Sequence, residues 1–153
     1  MAKTVRKRAG KVIHSAITEH ATEKARQIRA RYDAPMTFEE LLKVFNDRKS
    51  VRYPVEVRFT DQGIDEGLFA KTEMRSETPA DGFVIFIHDY YRDREDVLPA
   101  LLLYQSVIVN YGDLATSHDA EVFGAGVLGM DREAYYELVC NACDELWSNT
   151  WSF

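Results

Sequence analysis

The segment LPALLLYQSVIVNYGDLATSHDAEVFGAGVLG, residues 98–129, decides the fold of this chain. Its apolar residues recur at the three- and four-residue spacing of one helix face, which predicts two apolar helices joined by a short polar link. Pro99 suits a first helical turn, and Gly112 and Gly129 suit the residue that ends a helix. A pair of adjacent apolar helices is expected to form much of the core.

Three further helices are expected around this pair. Apolar periodicity predicts one from Lys11 to about Arg31. Thr37 is expected to cap a second helix, with Glu40 completing a capping box. A last helix is expected to start at Asp131. The remaining predicted caps are Asp93 or Asp96 for the helix that contains Pro99, and Thr116 or Ser117 for the helix before Gly129.

The middle of the chain is predicted to be β-structure. Residues 53–60 alternate between apolar and polar side chains, as a half-buried strand does. Residues 68–74 indicate a weaker strand. Residues 83–87 form a continuous apolar run, which is typical of a strand buried on both faces. The sequence therefore predicts an α+β domain. Its small, mixed sheet of about three strands is packed by two N-terminal and three C-terminal helices.

Length and charge constrain the domain organisation of the molecule. The 153 residues suit a single domain, residues 11–153, preceded by a flexible basic arm, residues 1–10. The net charge of −6 divides into +6 for residues 1–30 and −12 for the rest. No apolar run reaches the length of a membrane span, and no secretory signal follows the basic start. We expect a cytoplasmic protein.

The order of elements resembles the minimal zincin domain of the ImmA/IrrE-type zinc peptidases. The resemblance covers roughly residues 35–140. It rests on the strand GFVIFI (82–87), the loop RDRED (92–96), the apolar helix, and DAEVFGAGVLG (119–129). In that family the apolar helix carries H-E-x-x-H, whose two histidines share one helix face and bind zinc while the glutamate acts as general base.

In this chain the family's diagnostic residues are replaced. The positions that match the two histidines and the glutamate hold Tyr104, Ile108 and Gln105, none of which is a good zinc ligand. Asp119 and Glu121 match the acidic stretch that supplies the family's third ligand. The resemblance thus implies a degenerate domain without peptidase chemistry. The alternative is that both helices are simply core.

A different metal site is an alternative hypothesis. His88 follows the strongest predicted strand, and His118 and Asp119 open a helix that also carries Glu121. If these four side chains met in space, they could bind a metal ion and support hydrolysis. Nothing in their spacing requires them to meet, and Asp119 also suits the first turn of a helix electrostatically. We therefore expect no cofactor.

Two other motifs are weaker. Cys140 and Cys143 form a C-x-x-C in the middle of a predicted helix, without the preceding strand of a redox site, so we expect inert cysteines. GAGVLG, residues 124–129, superficially suggests a phosphate-binding loop. It also lacks a preceding strand, and we discount it.

Two surfaces are candidates for partner binding. Aromatic and acidic residues cluster near residue 90 and at the chain end, and aromatic side chains commonly anchor interfaces. These partner-binding candidates are Tyr90, Tyr91, Asp93, Glu95, Trp147 and Trp151. The basic arm is the candidate for nucleic acid, through Lys3, Arg6, Lys7, Arg8 and Lys11.

The sequence favours a protein without catalytic activity. The leading hypothesis is a protein-interaction or regulatory module on a degenerate zincin-like fold, an inhibitor or adaptor whose partner has a basic surface. Families of the resembled type are common on phages and mobile elements. The alternatives are the metal-dependent hydrolase and a nucleic-acid-associated factor. A homo-oligomer is also compatible with the charge asymmetry.

Overall fold

The structure is a computed structural model. It describes the backbone of residues 2–32 and 35–151, and the side chains of residues 13–32 and 35–148. In these residues two helices are followed by three strands and three helices, which confirms the predicted α+β class. The elements are α1 (Ala2–Arg31), α2 (Phe38–Phe45), β1 (Val55–Thr60), β2 (Ala70–Met74), β3 (Phe83–His88), α3 (Leu98–Tyr111), α4 (Ser117–Leu128) and α5 (Arg132–Trp151).

The apolar periodicity predicted that helix α1 begins at Lys11, but the helix begins at Ala2. Residues 2–10, expected to be an arm, therefore continue the helix backbone. A single glycine such as Gly10 lowers helix stability by only about 1 kcal/mol, so it does not force a boundary. Flexibility of residues 1–10 stays a prediction.

The predicted caps are partly correct. Thr37 caps α2 by accepting a hydrogen bond from the backbone N–H of Glu40, but the Glu40 carboxylate binds Lys43 and does not complete a capping box. Neither Asp93 nor Asp96 caps α3. The cap position is Val97, which makes no side-chain bond. Pro99 lies in the first turn, and its missing N–H leaves one donor fewer for a cap to satisfy.

Helix α4 has both predicted ends. Thr116 accepts from the backbone N–H of Asp119, and the Asp119 carboxylate accepts from the backbone N–H of Thr116, which makes a full capping box. Gly129 ends the helix with φ of 68°, in the left-handed region. Gly112 ends α3 with φ of 60°. Both ends of α4 and the C-terminal end of α3 are therefore as predicted, whereas the start of α3 is not.

Strand β3 is the centre of the sheet. The strand order is β1-β3-β2, with β1 parallel and β2 antiparallel to β3, so the sheet is mixed. Phe83, Val84, Ile85 and Ile87 are buried, which confirms the expected burial of this strand on both faces. Strand β2 begins at Ala70, two residues later than predicted.

The two faces of the sheet differ in character. Helix α3 packs against β2 and β3 on one face, where the Thr72 hydroxyl donates to Oε1 of Gln105 at 2.8 Å. The opposite face carries charged side chains. Glu56 of β1 pairs with Arg58 and with Arg75 there. The sheet therefore positions α3 in the middle of the core, between the strands and α4.

Glycines let α4 approach its neighbours closely. A Cβ at Gly126 would lie 2.7 Å from Cβ of Ala25 on α1, and a Cβ at Gly124 would lie 2.1 Å from the ring of Tyr135 on α5. Real Cβ atoms do not come that close to other atoms. The residues of GAGVLG therefore serve packing, which agrees with discounting it as a phosphate loop.

Candidate functional site

A small pocket between α3 and α4 is lined by the three α3 residues that the sequence comparison set against H-E-x-x-H. Tyr104, Gln105 and Ile108 of α3 face Thr116 and Ala120 across a cavity of about 160 Å³. We call this cavity the α3–α4 pocket. Among the described residues that line it, Tyr104 is the only titratable one. Burial raises the pKa of Tyr104, and the charge of nearby Glu121 adds to this effect. The pocket thus offers no group suited to acid–base catalysis near neutral pH.

Asp119 has a structural role next to this pocket. Its side chain is 1% exposed. One carboxylate oxygen accepts from the Thr18 hydroxyl at 2.6 Å, and the other accepts from the backbone N–H of Thr116 at 2.9 Å. Burial by itself raises the pKa of Asp119, but these hydrogen bonds outweigh burial and leave the pKa below its usual value. Asp119 therefore ties α1 to the start of α4.

Glu121 and His88 are likewise engaged elsewhere. Glu121 is 7% exposed, and its carboxylate accepts from Nη1 of Arg132 at 2.8 Å. Nδ1 of His88 accepts from the backbone N–H of Tyr90 at 3.1 Å. The His88 ring packs edge-on against Trp147, with 6.4 Å between ring centroids. Each side chain is held by a different part of the fold.

The alternative metal site is therefore not formed. His118 is exposed in the first turn of α4. Within residues 13–32 and 35–148, no three histidine, cysteine or acidic side chains lie close enough together to hold a metal ion. The hypothesis that His88, His118, Asp119 and Glu121 converge is wrong, because capping and ion pairing fix the two acids while His88 belongs to the far end of β3.

The cysteines lie where they were expected, within α5. Cys140 and Cys143 are free and partly buried. The thiol of Cys143 donates to the carbonyl of Gly67 at 3.2 Å. Burial raises the pKa of Cys143, and the charge of Asp144 adds to this rise. A raised pKa disfavours the thiolate, which is the reactive form.

The predicted aromatic interface is largely packed into the molecule. Tyr91 is fully buried, and its hydroxyl donates to the carbonyl of Ala142 at 2.8 Å, so its assignment to a partner surface is wrong. The Tyr90 hydroxyl donates to Glu145. The indole N–H of Trp147 donates to the carbonyl of Leu68 at 2.8 Å. These rings anchor α5 to the 3-10 turn after β3 and to the loop before β2.

The acidic candidates are more accessible. Asp93 is exposed and forms no ion pair with any described residue. Glu95 is exposed, and its carboxylate accepts from the backbone N–H of Phe38 at 3.1 Å. The side chain of Trp151 lies outside the described residues. So do the candidate nucleic-acid contacts Lys3, Arg6, Lys7, Arg8 and Lys11, and their role stays a prediction.

A larger concavity lies at the C-terminal end of α3. Its volume is about 560 Å³, and it is bounded by α1, the loop after α2 and the end of α3. Ile13, Ile17 and Leu114 are among its apolar residues. Lys24, Arg48 and Arg52 are its charged residues. We call this concavity the basic groove, since no aspartate or glutamate lines it among the side chains that the structure describes.

The three cations of the basic groove are not neutralised by acids. Nζ of Lys24 donates to the carbonyl of Lys49 at 2.7 Å, and Nη1 of Arg48 donates to the carbonyl of Val51 at 3.2 Å. The guanidinium of Arg52 lies 5.2 Å from the ring centroid of Tyr53. None of the three forms an ion pair with a described residue, although the chain has 25 acidic residues and 19 lysines and arginines.

Polar contacts shape the base of the groove. The Tyr111 hydroxyl lies 2.6 Å from Nδ1 of His20, which links α3 to α1. Burial, with a smaller effect of Asp119, raises the pKa of Tyr111 to about 12, so this hydroxyl keeps its proton. Oδ1 of Asn110 accepts from the backbone N–H of Arg52 at 2.8 Å. That bond fixes the orientation of the Asn110 amide. The buried Nδ2 of Asn110 finds no acceptor among the described residues.

Two features of the sequence point to this groove, although neither predicts it alone. Ile13, Ile17, His20 and Lys24 follow each other at the three- and four-residue spacing of one helix face. The loop after α2 contains three cations within RKSVR, residues 48–52. Neither signal shows that the helix and the loop meet, because that contact joins residues far apart in the chain.

Comparison with known protein families, with curated proteins and with solved structures found no match to this chain. In the part of the chain that the structure describes, no helix combines the length and the apolar character needed to cross a membrane.

Proposed function

We propose that this protein is a non-catalytic interaction or regulatory module on a degenerate zincin-like fold. The observation that carries the proposal is the α3–α4 pocket. Tyr104, Gln105 and Ile108 occupy the positions that resemble the zinc-binding helix, and they line a cavity of about 160 Å³ beside α4. Gln105, in place of the general base, is held by Thr72 of the adjacent strand. This combination of a cleft-like position and unreactive side chains favours binding or scaffolding over catalysis.

The acidic residues around the pocket support the same reading. Asp119 and Glu121, which match the family's acidic stretch, are used in helix capping and in a bond to Arg132. A carboxylate held in this way is not free to ligate a metal without losing those bonds. Retaining both acids while their structural contacts are satisfied is what a scaffold requires.

The proposed partner has a basic surface. Asp93 and Glu95 lie in the exposed loop between β3 and α3, and the body of the chain after residue 30 carries a net charge of −12. Exposed carboxylates on an acidic body speed association with basic surfaces and select against acidic ones. Tyr91 has no part in this surface because it is buried.

Metal content is the first test of the proposal. Protein purified without chelator is expected to contain no stoichiometric metal by elemental analysis, and added zinc is expected to leave thermal unfolding unchanged. His118→Ala is measured in parallel. One bound metal ion per wild-type chain that is missing from this variant would overturn the non-catalytic proposal and direct attention to hydrolase assays.

The second arm tests the surface itself. Immobilised wild-type protein is expected to retain basic proteins that elute with salt, and Asp93→Lys is expected to release them at lower salt. Glu133→Lys, which makes the same charge change at an exposed position of α5, is the matched control. Equal loss of retention in both variants would indicate a general charge effect and contradict a defined surface.

A further inference from the structure

We propose that the basic groove binds an acidic segment of another protein. In this complex apolar side chains of the segment contact Ile13, Ile17 and Leu114, and its carboxylates lie beside Lys24, Arg48 and Arg52. The groove and the acidic loop around Asp93 are separate surfaces with opposite charge preferences. The inference rests on the groove alone and stands even if the acidic loop binds nothing.

Two large apolar side chains in the groove are unusually exposed to solvent. Ile13 is 47% exposed and Leu114 is 59% exposed, and they belong to different elements that border the same concavity. Apolar surface that is concave and rimmed by polar groups is characteristic of interaction sites, because its burial is favourable only when a partner covers it. Ile17, at 9% exposed, extends this apolar surface toward the core.

The charge on the rim specifies the partner's chemistry. Lys24 and Arg48 each donate to a backbone carbonyl, which holds the side chain in place but leaves its charge uncompensated. Arg52 stacks near an aromatic ring with the same consequence. Without a ligand, three cations placed side by side repel one another. An acidic ligand relieves this repulsion.

Asn110 adds an unsatisfied donor at the same place. Its Nδ2 is the one buried side-chain nitrogen or oxygen without a hydrogen-bond partner among the described side chains. This nitrogen is buried, so it is not itself a point of contact for a ligand in the groove. It marks the wall of the groove as a place where an additional acceptor is favourable.

The shape of the groove favours a segment of polypeptide over a small ion. Arg52, Asn110 and Tyr111 also line a second cavity of about 550 Å³, which continues toward β2 and the exposed Met74. The second cavity also contains Glu73 and Asp113, whose charges offset that of Arg52, so an excess of positive charge is found only in the basic groove. A ligand that spans both therefore needs acidic groups at one end only and apolar groups throughout. A nucleic-acid backbone lacks such an apolar component.

Binding of designed peptides to the full-length protein tests this inference. The probe is a fluorescein-labelled peptide of repeated Leu-Glu-Glu units, followed by fluorescence anisotropy. Peptides of equal length with Ser-Glu-Glu and Leu-Lys-Lys repeats remove the apolar contacts and reverse the charge. The Leu-Glu-Glu peptide is expected to bind the groove, with an affinity that falls as salt is raised, and the Ser-Glu-Glu peptide is expected not to bind. Any binding of the Leu-Lys-Lys peptide is expected at the acidic loop, so it is lost in Asp93→Lys and unaffected by Leu114→Ser.

Variants locate the site. Arg48→Glu and Leu114→Ser are each expected to weaken peptide binding about tenfold, because one reverses a rim charge and the other removes an apolar contact. Both side chains are exposed, so folding is expected to persist, and circular dichroism checks it. Arg26→Glu is the control, since Arg26 lies exposed on α1 outside the groove. Asp93→Lys is expected to leave peptide binding unchanged, which separates this result from the proposed function.

Several results would overturn the inference. Binding of the Leu-Glu-Glu peptide weaker than about 1 mM, or equal binding of the Ser-Glu-Glu peptide, would remove the apolar basis of recognition. Displacement of the peptide by inorganic phosphate at comparable concentration would indicate a simple anion site. Displacement by duplex DNA at lower concentration would indicate a nucleic-acid surface. Concentration-dependent dimerisation that blocks the peptide would assign the groove to a second copy of this chain.

Discussion

The middle and the C-terminal end of helix α3 border two concavities that differ in volume and in charge. Near its middle, Tyr104, Gln105 and Ile108 line the α3–α4 pocket, whose neighbouring acids are bonded to partners on other elements. At its C-terminal end, Asn110 and Tyr111 border the basic groove, whose cations have no acidic partner among the described residues. The volume of the α3–α4 pocket is less than a third of the volume of the basic groove.

This difference separates groups used for folding from groups left available. A buried carboxylate without partners is costly, so Asp119 is stable only because Thr18 and Thr116 donate to it. An exposed cation carries little such cost, so Arg48 can remain unpaired. Asp119, Glu121 and His88, which suggested a metal site in the sequence, thus make contacts that hold elements of the fold together. The exposed cations of the groove make no ion pair with a described residue.

The largest expected effect concerns packing beside the α3–α4 pocket. Gly124→Ala would place a Cβ 2.1 Å from the Tyr135 ring, and this ring is fully buried with its hydroxyl bound to the carbonyl of Ala100. Because neither group can move freely, we expect a loss of about 3 kcal/mol in the free energy of unfolding, measured by urea denaturation. Ser148→Ala, at an exposed position of α5, is the control. A loss similar to that of the control would show that α4 and α5 are less tightly packed.

The next effect depends on pH. The pKa of Asp119 is lowered on folding, so its ionised form contributes stability at neutral pH that is lost as the pH falls through the folded-state value. Asp119→Asn keeps one acceptor but presents an NH₂ group to a donor. At pH 7 we expect the variant to be less stable by about 2 kcal/mol, with the difference shrinking below about pH 4.

Chemical denaturation between neutral and acidic pH measures this difference. Asp93→Asn serves as the control at an exposed carboxylate, and its effect at pH 7 is expected to stay within about 0.5 kcal/mol. If Asp119→Asn behaved in the same way, the carboxylate would not tie α1 to α4. The contrast between the two concavities would then lose its basis.

The smallest effect is expected in the basic groove. Arg48→Ala removes an exposed side chain whose bond is to a backbone carbonyl, so the free energy of unfolding should change by less than about 0.5 kcal/mol. Calorimetric unfolding measures it, with Asp119→Asn as the destabilised reference. A loss as large as that of the reference would make Arg48 a structural residue and weaken the case that the groove is kept for a ligand.

Several predictions that rest on local interactions were confirmed, although the Glu40 capping box and the Asp93 or Asp96 cap were not. The ends of α3 and α4 at Gly112 and Gly129 follow from the positive φ that glycine tolerates. The burial of β3 follows from its continuous apolar run. Predictions that needed distant contacts were less accurate. Tyr91 looked like an interface residue because its sequence neighbours are polar, yet the 3-10 turn after β3 directs it under α5, where it bonds to Ala142.

The sequence by itself determined the element order, the positions of the main helix ends, the mixed α+β class and the absence of H-E-x-x-H from α3. These depend on backbone preferences and on apolar periodicity, which act over a few residues. Tertiary structure alone decided that His88, His118, Asp119 and Glu121 form no metal-binding cluster within the described residues, and that Lys24, Arg48 and Arg52 share one groove. Which side chains meet depends on how α1, α3 and α4 pack together, and spacing along the chain does not contain that information.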